Sequence, residues 1–201
     1  MENRTPAPRE DQRVRLTKTL LQNAFLELLT EKPVQSVTVK ELCQRAGVNR
    51  GTFYLHYKDV YDLLEKMEDA LLRDLDELLQ SNPVIVYNTP EEAGAGFTNA
   101  IFGFFEKNRE MCAILLGDNG DKKFVAGIIE RAKEKSVREY LAFYPTASRQ
   151  DAEIFYYFIA WGFIGLLQQS LQNPPPAPFG TMAAAAQRII MEAARFFAVT
   201  D

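Results

Sequence analysis

The chain is poor in the side chains from which catalytic and metal sites are usually built: it has one histidine, His56, and two cysteines, Cys43 and Cys112. A single histidine excludes a histidine dyad or a multi-histidine metal cluster. The cysteines lie far apart, with no Cys or His at metal-binding spacing, which leaves buried reduced thiols as their reading. Gly94-Ala-Gly96 lacks the third glycine and the preceding strand of a dinucleotide loop, and Gly117-Asp-Asn-Gly-Asp121 lacks the alternating ligands and terminal Glu of a calcium loop. With no nucleophile elbow or Walker A lysine either, the expectation is no enzyme, no catalytic residue, no metal and no cofactor. Hairpin dipeptides are nearly absent, Asn119-Gly120 excepted. The longest apolar run, Ile154 to Leu167, has 14 residues, short of the roughly 20 that cross a bilayer. The polar, charged start offers no secretory signal, so the expectation is a cytoplasmic protein without membrane association.

What is present is ordinary globular material: 201 residues, 47% hydrophobic and 25% charged, enough to bury a core. The net charge of −4 is unevenly spread. Residues 1–58 carry 10 Lys and Arg against 6 Asp and Glu, net +4, and residues 59–201 carry 13 against 21, net −8. A basic head on an acidic body suggests that the head alone meets a polyanion.

Helical periodicity runs through nearly the whole chain, so the expected fold class is all-α. The first helix spans about 12–30, with Leu20, Leu21, Ala24, Phe25, Leu28 and Leu29 as its apolar stripe. A second opens at the capping-box pattern Thr38-Val-Lys-Glu41 and ends at Gly47. A third covers about 49–57, and a fourth runs from Asp59, a good N-cap, to about Gln80. Later helices are expected at about 91–107, 109–116, 121–143, 148–171 and 181–198, with the proline-rich 173–178 as an extended connector. The resulting division is a flexible basic arm at 1–11, a small helical domain at 12–58, a linking helix at 59–80 and a larger helical domain at 81–201.

The informative stretch is Ser36 to Asp59, two short helices joined by a tight glycine turn. Val39, Leu42, Cys43, Ala46, Val48, Phe53 and Tyr57 fall on its inner side. Asn49, Arg50, Thr52, Tyr54, His56 and Lys58 fall outside, a set of donors and cations suited to phosphates and base edges. Gly51 lets the backbone approach a groove floor, and Arg50 is long enough for guanine O6 and N7.

The run Val39-Lys-Glu-Leu-Cys-Gln-Arg-Ala-Gly-Val-Asn-Arg-Gly-Thr-Phe-Tyr-Leu-His-Tyr-Lys-Asp59 resembles the DNA-binding signature of the TetR family of transcriptional regulators, and the likeness extends over about residues 12–80. The resemblance implies an N-terminal three-helix bundle with a helix-turn-helix, linked by the fourth helix to a C-terminal ligand-binding and dimerisation domain. It implies DNA contacts from Thr38, Lys40, Asn49, Arg50, Gly51, Thr52, Tyr54, His56 and Lys58, on double-stranded DNA and as a homodimer. One position departs from the pattern: many members carry a phosphate-binding Lys where this chain has Val60.

The C-terminal half is rich in aromatic residues, most of them necessarily core. Phe97, Phe105, Tyr140, Phe158 and Trp161 are the candidates for lining a pocket for a small apolar or aromatic effector. The helix at 148–171 is apolar around much of its circumference and needs partners on more than one side. With the last helix it could form a four-helix dimer interface through Phe158, Gly162, Gly165, Ile189 and Phe197, as the resemblance also implies; packing within the monomer is the other reading. The expected function is a ligand-responsive repressor on a pseudo-palindromic operator. The alternative is a ligand-independent, DNA-tethered module or activator that recruits a protein partner.

Overall fold

A computed structural model of the protein describes residues 12–81, 90–117, 122–171 and 177–198, except the side chains of 90–95, 122 and 196–198. The basic arm at 1–11, Asp121 at the expected start of the 121–143 helix, and most of the proline connector lie outside the described residues. Helices α1 (Gln12–Glu31), α2 (Val39–Ala46), α3 (Arg50–Tyr54), α4 (Val60–Ser81), α5 (Pro90–Lys107), α6 (Arg109–Leu115), α7 (Lys122–Phe143), α8 (Arg149–Leu171) and α9 (Phe179–Ala198) follow in order, with a 3-10 turn at Val34–Ser36. No strand occurs among the described residues. The chain divides into two compact units, Met1–Glu68 and Asp69–Asp201, with the boundary inside α4.

The N-terminal unit is built on side chains removed completely from water: Leu21, Phe25 and Leu28 of α1, Leu42 of α2, Phe53 of α3 and Leu63 of α4 are each 0% exposed. Each such side chain contributes about 1.5–3 kcal/mol of burial. Leu20, expected in the α1 stripe, is 42% exposed, at the margin of that face. Ion pairs fasten α2 to α1 and to the residue that follows it: Arg45 to Glu31 at 2.6 Å and to Glu27 at 4.0 Å, and Lys32 to Glu41 at 2.5 Å. The α2 cap is therefore half of the expected box. Thr38 Oγ1 accepts from the Glu41 N–H at 3.2 Å, while the Glu41 carboxylate turns to Lys32 instead of back to Thr38.

In the C-terminal unit α5 packs on α9, and α8 packs on α7 and α9. Cys112, Val137, Ala152 and Ser170 are all 0% exposed, with the Ser170 hydroxyl donating to the Leu167 carbonyl at 2.7 Å. Tyr140 stacks on Phe155 at 4.8 Å and Phe102 meets Phe163 edge-on at 5.0 Å. Arg131 of α7 holds Asp76 in the second half of α4 at 3.1 Å.

Helix α8 extends beyond its apolar run. The helix continues through polar ends to 23 residues, and at a mean hydropathy of 1.3 in its most apolar stretch it is long and apolar enough to cross a membrane by length and composition alone. A core helix of a soluble protein passes the same test. Here α8 contacts four other helices, α5, α6, α7 and α9, and its Gln168 donates to the Leu116 carbonyl at 2.7 Å.

Candidate nucleic-acid interface

The turn between α2 and α3 is set by Gly47, whose φ of 65° and ψ of 27° lie in the left-handed region. Its N–H and that of Val48 return to the carbonyls of Gln44 and Cys43, at 3.4 and 3.0 Å, closing α2 with a Schellman-type cap. Asn49 then caps α3. Its Oδ1 accepts from the Thr52 N–H at 2.7 Å and the Thr52 hydroxyl at 3.0 Å. A Cβ on Gly51 would stand 3.2 Å from that same oxygen. Glycine at 51 thus makes room for the cap as well as for close approach of the backbone.

These bonds revise the roles read from the sequence. Asn49 and Thr52 were expected as base-facing donors, but the Asn49 carbonyl oxygen and the Thr52 hydroxyl proton are already engaged with each other. What they present outward is the Asn49 amide NH2 and the Thr52 oxygen lone pairs. Thr38 is similarly occupied as a cap, with Lys40 exposed beside it on α2.

With α3 wound at 3.6 residues per turn, buried Phe53 fixes which way the other side chains point. Arg50 and Tyr54, four apart, share one flank; the Arg50 guanidinium reaches the Tyr54 hydroxyl at 3.5 Å, and Tyr54 is 51% exposed. The proximity of Tyr54 raises the Arg50 pKa further above its ordinary value, so this residue is a permanent cation. Tyr57 is buried, as expected from its spacing to Phe53, with the rings 5.6 Å apart. His56 is half-buried, edge-on to Tyr57 at 6.3 Å, and so offers less of its ring than a fully outward position would.

The start of α4 completes the surface. Asp59 Oδ1 accepts from the N–H groups of Tyr61 and Asp62, at 2.9 and 2.8 Å, and Asp62 Oδ2 accepts from the Lys58 N–H at 2.9 Å. Lys66 donates to Asp62 at 2.8 Å and to the His56 carbonyl at 3.0 Å. It thereby binds the end of α3 to α4. Asp62 is held below the usual carboxylate range, first by Lys66 and then by the Lys58 N–H. Lys58 itself is exposed. Val60 is 6% exposed and joins the core, so the position where many relatives place a phosphate-binding Lys here serves packing.

Sequence reasoning missed Leu55, which at 80% is the most exposed of the large apolar side chains recorded as exposed among the described residues. The signal was available in its spacing from Phe53. It also missed the Lys66 bridge, which a one-turn-at-a-time reading of α4 does not reveal.

In the C-terminal unit a cavity of about 220 Å³ lies among α4, α5, α7, α8 and α9. Phe97, Phe105 and Tyr140 line it, together with Ile128, Phe155 and Ile164. Phe158 and Trp161 do not: they are 68% and 58% exposed, outside the face of α8 that lines it. The hydroxyls of Tyr140 and Tyr156 donate to the carbonyls of Ala194 and Ile129, leaving the wall overwhelmingly apolar. Ile154, Phe158 and Trp161 instead form an exposed stripe at helical spacing, with Gly162 and Gly165 open beside it and Ile189 of α9 59% exposed. The side chain of Phe197 lies outside the described residues.

A small helical unit that presents a capped recognition helix with cationic flanks, followed by a larger all-helical unit, defines a helix-turn-helix transcriptional regulator. Residues 23–67 match the family model for bacterial regulatory proteins of the tetR family, and residues 95–192 match that for a transcriptional regulator C-terminal region. The chain belongs to the TetR family of DNA-binding transcriptional regulators. The HTH-type transcriptional regulator YxbF of Bacillus subtilis (strain 168) is 22% identical over 115 residues, 55% of this chain and only 29% of that protein. Among solved structures, a transcriptional regulator from Aquifex aeolicus VF5 superposes with a TM-score of 0.64 at 22% identity, over 88% of this chain and 98% of that one. NalD, the secondary repressor of the MexAB-OprM efflux pump in Pseudomonas aeruginosa, gives 0.71 at 18% identity, over 91% and 98%. These likenesses are of fold.

Proposed function

We propose that the protein is an effector-responsive repressor that binds a pseudo-palindromic operator as a homodimer. The observation that carries the DNA-reading part is α3 itself: Gly47 closes α2 ahead of it, Asn49 caps its N-terminus, Phe53 anchors it, and Arg50, Tyr54 and Lys58 are left exposed on a net-basic head. Arg50 reads guanine, Tyr54 and Lys58 hold phosphates, and Lys40, Thr38, the Asn49 amide and half-buried His56 flank them. With Val60 in the core, one phosphate contact per subunit is absent, which reduces the magnitude of the dimer's salt slope by about 1.8.

Dimerisation uses the apolar stripe of α8 and α9. Large apolar side chains left this exposed, side by side, call for a partner surface, and Gly162 and Gly165 let a second helix approach closely. A twofold dimer presents two α3 helices to successive major grooves, about 34–36 Å apart. The cavity favours sensing over ligand-independent recruitment: an apolar space of 220 Å³ exceeds the roughly 150 Å³ that suffices for benzene. A small apolar or aromatic molecule bound there with higher affinity in the off-DNA state releases the operator by population shift, through α4.

Sedimentation of wild type and Phe158→Glu tests this reading. Wild type sediments as a dimer that binds one selected operator duplex; Phe158→Glu sediments as a monomer with normal helical content and loses operator affinity. A wild-type monomer that occupies its operator singly would overturn it.

A further inference from the structure

Leu55 has no role in the surface described so far, and its placement on α3 is specific. Phe53 is 0% exposed and marks the inward direction of the helix. Residues two before and two after it, Gly51 and Leu55, are each turned about 200° away at 3.6 residues per turn. They form the ridge pointing straight out, between the Arg50–Tyr54 flank and Thr52. The backbone stays helical through Leu55, at φ −72° and ψ −21°, so the ridge continues to that residue. Gly51 has no side chain, and Leu55, one turn on, is 80% exposed. The first side chain that a groove floor meets along this ridge is therefore an isobutyl group.

A leucine has no hydrogen bond to offer a phosphate or a base edge. The one apolar group on the major-groove floor is the 5-methyl of thymine, and apolar side chains recognise thymine through it. We infer that Leu55 reads a thymine by packing on its 5-methyl group, making it a specificity-determining residue beside Arg50. The inference rests on α3 being the helix that enters the major groove.

The test uses the full-length protein and a duplex operator obtained by selection from random sequence, with each half-site thymine replaced in turn by deoxyuridine, which removes only the methyl. Wild type loses about fourfold in affinity at one symmetric thymine position per half-site, the effect of burying one methyl-sized group. Leu55→Ala binds the thymine and deoxyuridine operators equally, while its affinity for random duplex and its salt slope stay at wild-type values. Retained discrimination in Leu55→Ala would overturn the inference, as would a wild type indifferent to every deoxyuridine replacement. A protein that selects no operator would instead refute the underlying assignment of α3 to the groove, so the two failures are distinct. Leu55→Val, which keeps a branched apolar surface, retains part of the discrimination.

Discussion

The cap on the recognition helix carries a prediction that separates folding from binding. Helix α3 has five residues, and a helix start leaves its first N–H groups without intrahelical partners. Asn49 Oδ1 satisfies that of Thr52 at 2.7 Å and also accepts the Thr52 hydroxyl. Replacing it in Asn49→Ala removes the acceptor and costs about 1 kcal/mol, within a range of roughly 0.5–2. At about 1 kcal/mol, hydrogen exchange of the amides across 50–57 becomes about fivefold faster, provided exchange follows local opening. Asn49→Asp keeps an acceptor and places a negative charge at the helix N-terminus, where the dipole favours it. It therefore retains wild-type protection, yet its operator affinity falls because a carboxylate now faces phosphates. Mass-spectrometric exchange and operator titration on the same two variants give four readings. Wild-type protection in Asn49→Ala, or loss of protection in Asn49→Asp, would refute the capping argument.

Other predictions follow from the same surface. Gly47 occupies the left-handed region at φ 65° with nothing within 4 Å of an added Cβ, so Gly47→Ala costs only the conformational term, about 1–2 kcal/mol, read as a lower urea midpoint for the N-terminal unit. Both thiols are buried and their pKa values raised, that of Cys112 to about 12; an aromatic disulfide reagent at pH 7 should label neither in the native protein and both in urea. Glu31 and Asp62 are held below their ordinary values by Arg45 and Lys66. Their stabilising contributions are complete above the unfolded pKa values near 4.5 and 3.8, and are lost as pH falls through the lower folded ones. An acid titration monitored by circular dichroism should show a shallower loss in that window for Asp62→Asn than for wild type.

The helix boundaries were legible because the punctuation is local. Thr38 and Asp59 cap the helices they precede, and Gly47 turns the chain where only glycine does so without strain. The basic surface of α3 was legible from its pairing with buried Phe53. The hydrogen bond between Asn49 and Thr52 was not, because a residue that can cap a helix can also read a base, and composition does not say which. Leu55 was overlooked because an apolar residue is assigned to the interior by default, although its offset from Phe53 turns it outward. The misassignment of Phe158 and Trp161 to the cavity has a physical origin too. Helix α8 is apolar around most of its circumference, so it lacks the polar stripe that would tell one face from another. Only packing distinguishes Phe155, on the cavity wall, from Phe158, on the open stripe.

The central claim is that α3, presented twice by a twofold dimer, reads a specific duplex. Selection of bound sequences from a random duplex pool by the full-length protein tests it most directly. The expected outcome is enrichment of an inverted repeat whose half-sites sit about one helical turn apart, or a multiple of it, with a guanine position that Arg50→Ala no longer prefers. A pool that stays random after repeated rounds, or one that Arg50→Ala enriches to the same sequence, would contradict it.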